Sequence, residues 1–174
     1  MSDIVKCYGC FGEFLKSEDY ASEQKPHPYV GAIHECWLTY SELLAKEFSD
    51  MEYFKVHRIT ADTYPAQHIG DQQSRRARQS ANLHLIALYL NFSKGFKVES
   101  IIHFLSQATI IKRNWPPVLQ IQNPQWLTVN DVIKAKNVRE HTLYVREWGK
   151  SVWDAYSDYH EVIAKIYNDF IKNL

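Results

Sequence analysis

Cys7 and Cys10, separated by Tyr8 and Gly9, are the first residues of the chain whose types and spacing suit chemistry. Two thiolates so placed can grip one metal ion through a tight turn, and Gly9 gives that turn a permissive backbone. Cys36 comes later, at the start of a helical pattern, and His27 lies between them in Lys25-Pro26-His27-Pro28-Tyr29. Three thiolates and one imidazole form the soft tetrahedral set that Zn2+ takes when no position is left open. His34, close before Cys36, is the alternative fourth ligand. The expected site is therefore Cys7, Cys10 and Cys36 with His27 or His34 around one zinc ion. The competing reading makes Cys36 an ordinary core cysteine and the CxxC pair unliganded. A thioredoxin-like redox couple is disfavoured, because no βαβ pattern surrounds the pair.

A second constellation lies further along. His57, Asp62 and His68 fall on one helical segment and His84 on the next, with a turn near Ile69-Gly70-Asp71 between them. If the two helices run antiparallel, His57 and His84 lie at one depth with Asp62 about a turn away. Two imidazoles and a carboxylate can serve as a weak metal site or an acid–base set. His160, on an aromatic stripe of the last helix, is a further candidate for the same polar pocket, since a histidine among aromatics needs a hydrogen-bond partner. The blander reading treats His84 as a satisfied core histidine, His57 as solvent-facing and His68 as a cation at a helix C-terminus. Arg75, Arg76 and Arg78 read as a solvated basic face, with phosphate binding the lesser alternative.

The elements that must position these residues are helices. Trp37, Tyr40, Leu44 and Phe48 recur at helical spacing, as do Tyr53, Val56, Thr60, Ala61 and Tyr64, with Asp50 a suitable N-cap and Pro65 a kink or late break. Ser74 caps the next helix, which Gly95 ends, and a fourth runs from Val98. Pro116, Pro117 and Pro124 force a long irregular connection, in which Trp115 and Trp126 are candidates for an exposed interaction surface. Thr128 caps a short helix, and one long helix is expected from about Asn137 to Asn173. No alternating strand pattern, repeat or low-complexity run is found. The fold expected is mainly α, a four- or five-helix bundle, with residues 1–35 as an irregular segment that a metal orders where a core cannot.

Composition sets the outer limits. The chain has 174 residues, suiting a single domain over residues 1–174, and 20 basic against 20 acidic side chains. Zero formal charge and a pI near 7.1 argue against nucleic acid or an anionic membrane as partner. Tyr, Phe and Trp together make up 14% of the chain, which excludes a disordered tail. No stretch approaches the roughly 18 apolar residues of a membrane span, and the N-terminus has no signal-peptide pattern, so a cytoplasmic location is expected. Three cysteines, an odd number, do not suit a disulfide framework.

Six motifs follow one another: Cys7-x-x-Cys10, His27-Pro28-Tyr29, Cys36-Trp37-x-x-Tyr40, Asp62-x-Tyr64-x-x-Gln67-His68, Gln79-Ser80-x-x-x-His84-Leu85 and Trp148-x-x-x-Val152-Trp153. In this order the chain resembles an uncharacterised family of small bacterial helical proteins, a domain of unknown function. It departs from the family pattern at Lys25, and at His34-Glu35 before Cys36, yet keeps every candidate ligand. The resemblance implies no activity. The expected function is that of a zinc-binding helical protein; the alternatives are a metal-dependent hydrolase or transferase using Asp62, His68, His84, His57 and His160, and a protein-interaction module. The partner expected is a small molecule or protein of unknown identity.

Overall fold

The computed structural model describes residues 3–17 and 27–172. Among them the chain forms a small antiparallel hairpin, β1 (Ile4–Lys6) and β2 (Glu13–Leu15), in which Val5 faces Phe14. Helices follow: α1 (His34–Ser49), α2 (Met51–Phe54), α3 (His57–Gln67), α4 (Arg75–Phe92), α5 (Val98–Ile110), α6 (Val129–Val132), α7 (Val138–Ala155) and α8 (His160–Ile171). The mainly α expectation holds. The hairpin is a regular feature that sequence periodicity misses, and the helix expected from Asp50 is divided at Lys55–Val56 into α2 and α3.

Local chemistry accounts for the helix boundaries. Asp50 accepts a hydrogen bond from the Glu52 amide, Ser74 from that of Ala77, and Asn137 from that of Glu140, each satisfying an orphan donor of a first turn. Thr128 and Asp131 form a reciprocal capping box on α6. Pro65 sits in the last turn of α3 without ending it. The single long C-terminal helix does not form. The chain breaks at Tyr156, where the Trp153 carbonyl accepts from the Tyr156 amide and from His160 Nε2 at 2.8 Å. A one-turn 3-10 segment, Ser157–Tyr159, then leads into α8.

Helix α3 packs between α4 and α7 at the centre. Its Tyr64 is fully buried, stacks on Tyr40 of α1 at 3.8 Å between ring centres, and continues onto His68 at 4.0 Å. Trp148 of α7 is also fully buried, and its indole N–H donates to Gln67 Oε1. Fully burying a side chain of this kind contributes on the order of 2–3 kcal/mol, so these rings anchor the end of α3 firmly. In the connection at residues 111–128 the two tryptophans are not exposed. Trp115 is 1% exposed beneath Arg113, and Trp126 is half-buried with its indole N–H on the Cys10 carbonyl. These two tryptophans pack inward because apolar rings and an indole donor find partners there, which removes the basis for a docking surface built on them. No helix among the described residues is long and apolar enough to cross a membrane.

Candidate metal centre

Three separate stretches of chain converge on one buried point. The first is the turn between β1 and β2, where the Phe11 amide reaches the Cys7 carbonyl and the Cys7 amide the Gly12 carbonyl. This folds Cys7 and Cys10 to one side and leaves the Gly12 amide pointing at Cys10 Sγ, 3.4 Å away. Phe11 takes the left-handed conformation that the turn demands, with φ of 62°. The second stretch is the first turn of α1, which supplies Cys36. The third is the C-terminal end of α3, which supplies His68.

The donor atoms of Cys7, Cys10, Cys36 and His68 all lie within 4.8 Å of one another, and the four residues are at most 1% exposed. Cys10 Sγ and Cys36 Sγ are 3.8 Å apart, and Cys36 Sγ is 3.3 Å from His68 Nε2. A tetrahedral ion with metal–sulfur bonds of about 2.3 Å separates two sulfurs by about 3.8 Å, so the thiol spacing is that of a shared ion. His68 is oriented for the same task. Its Nδ1 sits 2.8 Å from the Tyr64 carbonyl, which can only accept, so Nδ1 carries the proton and Nε2 turns its lone pair to the sulfurs. Tyr64 also donates its hydroxyl to Cys36 Sγ at 3.4 Å.

Electrostatics inside the cluster is lopsided. Hydrogen bonds from Cys10 and Cys36 hold the Cys7 thiol well below the usual range, against the opposing effect of burial. Hydrogen bonding with Cys10 and Cys7, together with burial, drives Cys36 far above it. Cys10 gains from Cys36 but loses more to Cys7 and to burial, and ends at about 12. Side chains alone therefore favour the three thiolates unequally. A divalent cation supplies what three thiolates need in a dry site.

His68, and neither His27 nor His34, completes this group. His27 is exposed, its Nδ1 accepting from the Tyr29 amide, and His34 opens α1 outside the cluster. The close approach of the backbones explains the choice. Gly31 donates its amide to the His68 carbonyl at 2.9 Å, and Val30 bridges Ile69, so the loop after His27 lies alongside the end of α3. Gly9 packs into the same junction: a Cβ there would collide with the Gly31 carbonyl and stand 2.6 Å from His68 Cδ2. The irregular connection closes the site from the other side, with Gln120 donating to the Gly9 carbonyl at 2.6 Å and Trp126 to the Cys10 carbonyl at 2.9 Å.

The family model of a family of unknown function, DUF5946, matches residues 5–157. The chain belongs to that family. The DUF5946 match takes in all four clustered donors and stops short of α8. No curated protein and no solved structure matches the chain.

In this DUF5946 member the second expected constellation is divided among different places. Asp62, 2% exposed, does meet His84: its carboxylate accepts from His84 Nδ1 at 2.9 Å and is gripped in a bidentate pair by Arg58. His57 belongs elsewhere, at 2.8 Å from Glu47 Oε2, while His141 Nε2 lies 3.0 Å from Glu47 Oε1 and Thr60 donates to the same carboxylate. His160 caps the end of α7 and stacks on Trp153 at 3.7 Å. His68 faces the thiols. The single polar pocket therefore does not form, because each histidine has a nearer partner of its own. Glu47 is the buried polar residue that sequence reading missed; its place on the apolar stripe of α1, with Cys36, Tyr40 and Leu43, was the available signal.

Proposed function

We propose that Cys7, Cys10, Cys36 and His68 hold one zinc ion, and that this ion fastens the N-terminal hairpin to the ends of α1 and α3. The observation that carries this reading is His68, whose Nδ1 is committed to the Tyr64 carbonyl while Nε2 faces three buried sulfurs. Thiolates with one imidazole select zinc among the divalent ions common in cells. Four protein donors with negligible exposure leave no open coordination position, which favours a structural over a hydrolytic role. Free thiols as ligands suit the reducing conditions of the cytoplasm, where we place the protein.

Elemental analysis of the purified chain tests the proposal. One zinc per chain is expected, with X-ray absorption showing three sulfur neighbours and one nitrogen. His68→Ala and Cys10→Ser should each lose most of the metal, while His27→Ala and His34→Ala keep it. Full zinc occupancy in Cys10→Ser would sink the idea.

A further inference from the structure

A second site opens on the far side of α3. The facing sides of α4 and α5 form a cleft of about 610 Å³, within the range of pockets that enclose small ligands. Its lining mixes two chemistries: Leu83 of α4 with Ile102 and Leu105 of α5 are apolar, and Arg58, Arg76 and His84 are polar. No acidic residue lines it.

Arg58 and His84 are held in place before any ligand arrives. Asp62 lies behind the cleft, nearly inaccessible, and engages Arg58 through two hydrogen bonds and His84 through Nδ1. That carboxylate fixes both side chains, so His84 offers the cleft its Nε2 edge. A quarter of the His84 side chain and a similar share of Arg58 remain accessible, 25% and 26%. Arg76 is exposed and donates to the Tyr29 hydroxyl at 3.4 Å, which leaves most of its fork of donors unused. Asp62 offsets one of the two guanidinium charges, and the cleft keeps a net positive lining among its aliphatic side chains.

We propose that this cleft binds a small amphiphilic oxyanion: a carboxylate or phosphate monoester head held by Arg76 and drawn by the Arg58 charge, on a short apolar body laid along Leu83, Ile102 and Leu105. Guanidinium groups match such heads by paired, charge-assisted hydrogen bonds, and a dry wall adds affinity in proportion to the area it covers. Asp62 acts as a positioning residue. The site is separate from the metal centre and rests on no property of it.

The chain as purified is titrated with octanoate, octyl phosphate, inorganic phosphate and octanol below their micelle thresholds. Methyl and imidazole NMR signals follow binding. Saturable shifts at Ile102, Leu105 and His84 are expected with octanoate or octyl phosphate, and the tighter of the two identifies the head group as carboxylate or phosphate. Inorganic phosphate and octanol should each bind at least tenfold more weakly. Arg76→Ala, an exposed change, should weaken the better ligand about tenfold, and Leu105→Ser should do so too. Zinc content measured on the same samples separates failure here from failure of the metal reading. No saturable shift with either amphiphile, an unchanged affinity in Arg76→Ala, or equal binding of octanol would overturn the proposal.

Discussion

Helix α1 carries a reactive group near each end, Cys36 and Glu47, both fully buried on the same stripe, and their surroundings treat them differently. Burial opposes the Glu47 charge, but hydrogen bonds from His141, His57 and Thr60 outweigh it and hold the carboxyl below its ordinary value. Around Cys36 the neighbours are other thiols, a tyrosine hydroxyl and an imidazole whose Nδ1 is turned to a backbone carbonyl. One cluster satisfies its carboxylate on both oxygens. The other gathers donors for a positive charge that no side chain in it brings. A buried ionisable group therefore reads as a structural network or a metal site according to whether its neighbours can supply the compensating charge.

The largest test of this contrast is at the thiol end. Cys36→Ser, or chelation of the native protein, should abolish metal content and lower the thermal midpoint by on the order of 10 °C, as expected for a ligand bound far above its dissociation constant. The carboxylate end should respond without the metal. Glu47→Gln should cost on the order of 3 kcal/mol in urea denaturation with zinc content unchanged, because the buried charge is lost and one of the two imidazoles then faces an amide N–H2 in place of an acceptor. Loss of zinc in that variant would show that the two ends are coupled after all. Acid sharpens the same point. A carboxyl whose folded value is depressed adds stability above its unfolded value, about 4.3, and loses it as pH falls through the lower folded value. The stability gap between the native chain and Glu47→Gln should accordingly close as pH drops below about 5, and a gap that widens would contradict the assigned network. The smallest effect belongs to the strap over the turn. Trp126→Phe removes one hydrogen bond to the Cys10 carbonyl and should cost about 1 kcal/mol, read from the same denaturation curves, with zinc retained.

Much of this arrangement was legible in the sequence, and the rest was hidden for identifiable reasons. The helices announced themselves through apolar stripes and through Asp50, Ser74 and Thr128, whose side chains do cap them. The hairpin strands have three residues each, too short to display an alternation. The stripe from Val145 to Phe170 ran on through the break at Tyr156, because a single 3-10 turn hardly disturbs the spacing of apolar positions. Spacing pointed to Cys7, Cys10 and Cys36. It favoured His27 because that residue is close to Cys36 along the chain, whereas His68 becomes a neighbour only once Gly9, Gly31 and Gly70 let three backbones meet. Antiparallel helices put His57 level with His84 and Asp62 a turn away, yet it is Asp62 that meets His84; the separation of His57, His68 and His160 depends on tertiary partners that no local pattern encodes.

The strap formed by residues 111–128 has a consequence for kinetics. Gln120 and Trp126 hold the carbonyls of Gly9 and Cys10, so the turn that carries two of the four donors cannot peel away until those bonds open. An ion held beneath it would leave at the tempo of that opening. A competing chelator would then strip the metal at a rate that rises with its concentration only up to a plateau, and the height of that plateau would equal the rate at which the strap lifts.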